Sequence, residues 1–138
     1  MKHPPHLLRV EAPASAFAPV VAAATTADVR VGWLDFEPAS TPVELAPAAD
    51  LGVLRAVAVG DGRTVAVKPM KGPPVLRDVL REHFRGCVLV LVRGAIDAPR
   101  LESLGDDRWR IHRLDAPYLD VDLESLIARL RKPRPWDR

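Results

Sequence analysis

The chain has 138 residues, 48% of them apolar and 28% charged, a balance that fits an ordinary folded protein and excludes general disorder. Its length sets the expectation of one compact domain. The net charge of +2 divides into −1 over residues 1–70 (six Lys/Arg, seven Asp/Glu) and +3 over residues 71–138 (fourteen against eleven), which leaves no dense basic stripe of the kind a dedicated nucleic-acid protein carries.

Arginine outnumbers lysine sixteen to four, which with the abundant Ala, Pro, Val and Leu points to a GC-rich, bacterial coding genome. Cys87 is the single cysteine, so an intrachain disulfide and a cysteine zinc cluster are both excluded. That usage fits a reducing cytoplasm. Pro4, Pro5, Arg9, Glu11 and Pro13 interrupt the apolar core a secretory leader needs. The longest purely aliphatic runs are far shorter than the ~20 residues that cross a bilayer.

Residues 1–27 read as a Pro/Ala-rich N-terminal arm, with Leu7–Val10 able to pair as a short strand. Val29, Val31 and Trp33 alternate with polar or small residues, the period of a half-buried strand. The segment Glu37–Asp50 holds three prolines and reads as a loop, with an extended piece at Val43–Leu45. The β-branched runs Leu54–Val59 and Thr64–Lys68 flank Gly60-Asp61-Gly62-Arg63. Asp and Gly accept the positive φ of a tight turn, so these runs make an antiparallel hairpin.

From Pro74 the period becomes helical. Val75, Leu76, Val79, Leu80 and Phe84 fall on one face, and Gly86 suits the C-terminal cap. Cys87–Val92 is an uninterrupted apolar run between glycines, the mark of a strand buried on both faces. Asp97 is read as capping a short helix to about Leu104, ended by Gly105. Arg108–Leu114 alternates as a strand, parallel to the preceding one through a βαβ unit. Asp122–Lys132 closes the fold as a helix with Leu123, Leu126, Ile127 and Leu130 inward, acidic at its start and basic at its end.

The fold class expected is α/β (or α+β): a mixed sheet with an antiparallel N-terminal hairpin and a C-terminal α-β-α-β-α unit. The organisation expected is an arm over 1–27, a single α/β domain over 28–132 and a basic Pro/Trp tail over 133–138.

Several chemistries find little support. The turn Val92–Pro99 lacks a Gly-rich phosphate fingerprint and places Asp97 where phosphate would sit. In the Lys68–Pro74 loop, Pro73 and Pro74 remove the N–H donors that cradle phosphate. Asp120-x-Asp122 stands at a helix start, where carboxylates cap, and the histidines are scattered, so no metal site is expected. Cys87 opens a buried strand, where a thiol is inert. No catalytic residue or cofactor is assigned, and the reading leans away from an enzyme.

The leading expectation is a non-catalytic protein-interaction or adaptor module, or a small subunit of a larger bacterial assembly, soluble and cytoplasmic, with another protein as partner. Phe17, Arg134 and Trp136 are the anchors expected on its extended ends. Exposed strand edges offer a further docking route. The first alternative is RNA or single-stranded DNA binding through Arg77, Arg81 and Arg85 on one helix and Arg108, Arg110 and His112 on one strand. The second is an enzyme or small-ligand domain whose site is not readable from sequence.

Overall fold

The computed structural model describes residues 4–36, 51, 53, 55–67 and 72–137. The chain divides into two compact units, one formed by the segments on either side of residues 38–75 and one within them. The expected extended piece at Val43–Leu45, most of the Lys68–Pro74 loop and Arg138 lie outside the described residues.

The first unit is an α/β layer structure. Its strands are β1 (His6–Val10), β2 (Val31–Asp35), β5 (Leu89–Arg93), β6 (Arg100–Gly105), β7 (Arg108–His112) and β8 (Leu119–Asp122), and its helices are α1 (Ala18–Thr26), α2 (Leu76–His83) and α3 (Leu123–Arg129). The six strands form one mixed sheet in the order β2-β5-β1-β6-β7-β8. β2, β5, β1 and β6 run parallel, and β7 and β8 continue antiparallel. The second unit contains a separate two-stranded antiparallel sheet of β3 (Ala56–Gly60) and β4 (Arg63–Val67), joined at Asp61-Gly62 as the sequence predicts.

Residues 4–26 are not an arm. β1 lies in the middle of the sheet, with β5 on one side and β6 on the other. A 3₁₀ turn (Ala14–Phe17) and α1 follow it. Alanine is the strongest helix former, and Pro19 falls in the first turn, where its missing N–H is no loss. A composition that reads as a loose segment is therefore a good helix sequence.

The second difference is at residues 97–104, where a helix is expected and β6 is found instead. β6 and β7 pair antiparallel, so the expected βαβ crossover is a hairpin. Gly105, Asp106 and Asp107 all take positive φ, at 83°, 51° and 58°. The left-handed geometry that would end a helix at Gly105 serves here to reverse a strand.

One face of the sheet is the core. Leu8, Val10, Leu89, Leu91, Leu101, Trp109, Ile111 and Val121 point from it onto Phe17, Val20 and Ala24 on one side and Leu126, Ile127 and Leu130 of the α3 segment on the other. The Phe17 ring centroid lies 5.9 Å from that of Trp109 and 6.1 Å from that of Trp33. The indole N–H of Trp109 has no acceptor among the described residues. That omission costs about 1–3 kcal/mol, against the large apolar area an indole buries.

The opposite face is covered only in part. Val90 and Val92 on β5 are fully buried, although they point away from Leu89 and Leu91. Beside them, a Cβ on Gly32 would come within 2.5 Å of Phe84 Cδ1, so glycine is what lets the segment after α2 lie against β2. β5, among the parallel strands, is thus buried on both faces through Val92, as interior parallel strands usually are. The antiparallel half shows one face to solvent.

Phe17 is only 2% exposed. Phe17→Ala is expected to destabilise the protein by about 3–5 kcal/mol, read as a lower urea midpoint. An unchanged midpoint would contradict its place in the core.

Candidate functional site

The uncovered face of β6, β7 and β8 carries a lattice of charges set by the strand register. Arg9 on β1 is opposite Arg100 on β6, and Arg100 is opposite His112 on β7. One step along, Glu102 faces Arg110, Arg110 faces Asp120, and Arg108 faces Asp122. Alternation makes this unavoidable once Leu101, Trp109, Ile111 and Val121 turn inward, because residues two apart share a face.

Most of these groups are paired. Arg110 makes a two-pronged contact with Asp120, Nε to Oδ1 at 2.7 Å and Nη2 to Oδ2 at 3.0 Å, and its guanidinium lies 3.9 Å over the Tyr118 ring. His112 Nε2 and Glu102 Oε1 are 2.9 Å apart. Arg9 Nη1 donates to Glu11 Oε1 at 2.8 Å. At the carboxyl ends of β2 and β5, Arg93 Nε donates to Asp35 Oδ1 at 2.9 Å.

These contacts favour the ionised carboxylates. The hydrogen bond from Arg110 holds Asp120 below its usual pKa, and the bond to His112 does the same for Glu102. Glu11 is lowered by its bond to Arg9 and then by the nearby charge of Arg100. Asp122 is lowered by the Ser125 backbone N–H, which it accepts at 2.7 Å as the cap of α3. Burial pushes the Cys87 thiol up, away from the reactive thiolate.

The residues singled out from sequence are dispersed. Phe17 belongs to the core. Trp136 is half-buried against the core cluster, its ring edge-on to His6 at 6.3 Å. The backbone around it is clamped: Arg129 Nη1 donates to the carbonyls of Pro135 at 3.0 Å and Asp137 at 2.8 Å. Arg134 is exposed beside it. Arg77, Arg81 and Arg85 line a groove with Pro4 and Pro5, whereas His112 lines a separate crevice with Arg9, Arg100 and Arg113. The two concavities share no residue.

Sequence reasoning passed over Arg9, Arg100, Glu102 and Arg113. Reading residues 100–105 as a strand would have placed Arg100 and Glu102 on one face and Leu101 on the other.

No group of three or more His, Cys, Asp and Glu able to hold a metal occurs among the described residues. No described helix is long and apolar enough to cross a membrane. No family model, no curated protein and no solved structure matches the chain.

Because the four carboxylates are held below their usual values, their ionised forms stabilise the fold at neutral pH. That contribution is present above the unfolded values of 4.5 for Glu and 3.8 for Asp, and is lost as pH falls through the lowered folded values. Urea midpoints are expected to drop between about pH 5 and pH 2. Asp120→Asn is expected to lower the midpoint at pH 6 and to make this drop smaller; parallel curves for the variant and the native chain would contradict the pairing.

Proposed function

We propose that the protein is a non-catalytic interaction module, an adaptor or a small subunit, that captures another protein by strand addition at the β3–β4 hairpin. The observation that carries this reading is the apolar exposure of that hairpin. Val57 is 52% exposed and Val59 79%. They lie on one face of a two-stranded sheet, opposite Ala66 and Thr64.

Two strands alone are marginal in water and gain stability from a third strand or a packing surface. Edge strands in folded proteins are usually guarded by charges, prolines or bulges. β3 reads Ala-Val-Ala-Val-Gly and has none of these; β4 has a charge only at Arg63. An added strand would pair with the backbone groups of an edge that no described strand engages, and its alternate side chains would cover the valines. The clamped, half-buried tail supports the hairpin over Trp136 as the docking element.

The test is purification of the tagged protein from its native cells with nuclease present. A stoichiometric protein partner is expected, lost in Val57→Lys/Val59→Lys with the circular dichroism of the fold unchanged, and kept in Trp136→Ala. A partner retained by the double lysine variant, or none at all, would overturn the proposal.

A further inference from the structure

On the uncovered half of the sheet, the segment from Gly94 to Pro99 crosses the carboxyl end of β1 as it connects β5 to β6. Arg9 N donates to Pro99 O at 2.7 Å, which fixes that crossing. Beneath it opens a crevice of about 580 Å³, lined among others by Arg9, Asp97, Arg100, His112, Arg113 and Leu114. The carboxyl ends of parallel strands are where open α/β sheets most often receive ligands.

The crevice holds one guanidinium, that of Arg100, whose N–H groups no described residue accepts. Arg9 and Arg100 stand opposite each other on neighbouring strands, an arrangement of like charges that an interposed anion relieves, and His112 follows on the next strand. The Arg100 side chain is only 24% exposed. Its closest carboxylate approaches are 3.9 Å to Glu11 and 4.0 Å to Glu102, beyond hydrogen-bond reach. Its guanidinium has no hydrogen-bond acceptor among the described residues. Arg113 donates only to carbonyls, Pro117 O at 2.6 Å and Trp136 O at 3.4 Å.

We propose that this crevice binds a small oxyanion of the carboxylate or phosphate class, with Arg100 as the central donor and Arg9 and Arg113 beside it. A guanidinium presents a planar fork that matches two oxygens of such a group. Glu11, Glu102 and Asp97 balance the formal charge of the three arginines, so donor geometry rather than a strong positive field selects the ligand. Glu11 is also a competitor: it occupies Arg9 and lies near Arg100.

Calorimetric titration of the full chain with inorganic phosphate, and separately with malonate, reads the site against chloride at matched ionic strength. Saturable binding of phosphate alone, of malonate alone or of both is expected and names the class. Arg100→Gln is expected to weaken it tenfold or more, and Arg113→Gln, the second variant should the first not fold, at least threefold. Glu11→Gln is expected to tighten binding severalfold, an effect opposite to its loss of an ion pair. Heats equal to those of chloride for both anions, native affinity in the folded arginine variants, or an unchanged affinity in Glu11→Gln would overturn the proposal.

Discussion

The fold of the first unit depends on the insertion of β1 between β5 and β6. β1 has partners on both edges, running in register with Leu89–Arg93 on one side and meeting Arg100 on the other. Among the described strands it stands between β2 and β5 on one side and β6, β7 and β8 on the other. Leu8 and Val10 enter the core from one face of it, and Arg9 projects from the other. Five residues thus join two sheet halves, one hydrophobic core and the polar crevice.

The unequal covering of the two halves decides where polar chemistry can sit. α1 and α3 share the core face, and the segment after α2 lies against the other face only at the β2–β5 side. Where both faces are covered, β5 is aliphatic from Leu89 to Val92. Where one face is open, every second residue of β6, β7 and β8 is free to carry charge. Cross-strand pairing then organises those charges into Arg110–Asp120 and His112–Glu102 contacts. The same alternation places Arg100 between two carboxylates without bonding it to either.

The sequence is legible where one rule dominates. Asp61-Gly62 between β-branched runs gives the hairpin, the run before Arg93 gives an interior strand, and the stripe Leu123, Leu126, Ile127, Leu130 gives α3. The sequence is ambiguous where one residue type serves two ends. Gly105 caps a helix or turns a hairpin by the same left-handed backbone, and alanine with proline describes both a loose arm and the start of a helix. The site was less legible still. Arg9 and Arg100 are about 90 positions apart in the chain, and only the pairing of β1 with β6 brings them together.

The central position of β1 also sets the order in which the fold can be made. His6–Val10 leaves the ribosome before its partners Leu89–Arg93 and Arg100 exist. At about 5–20 residues per second, the delay is about 4–16 seconds. Through that interval Leu7, Leu8 and Val10 have no sheet to join, and the two halves of the core cannot close. Folding of this unit therefore waits on the synthesis of β5 and β6, and β1, the apolar segment that holds the sheet together, waits longest of its strands in need of shelter.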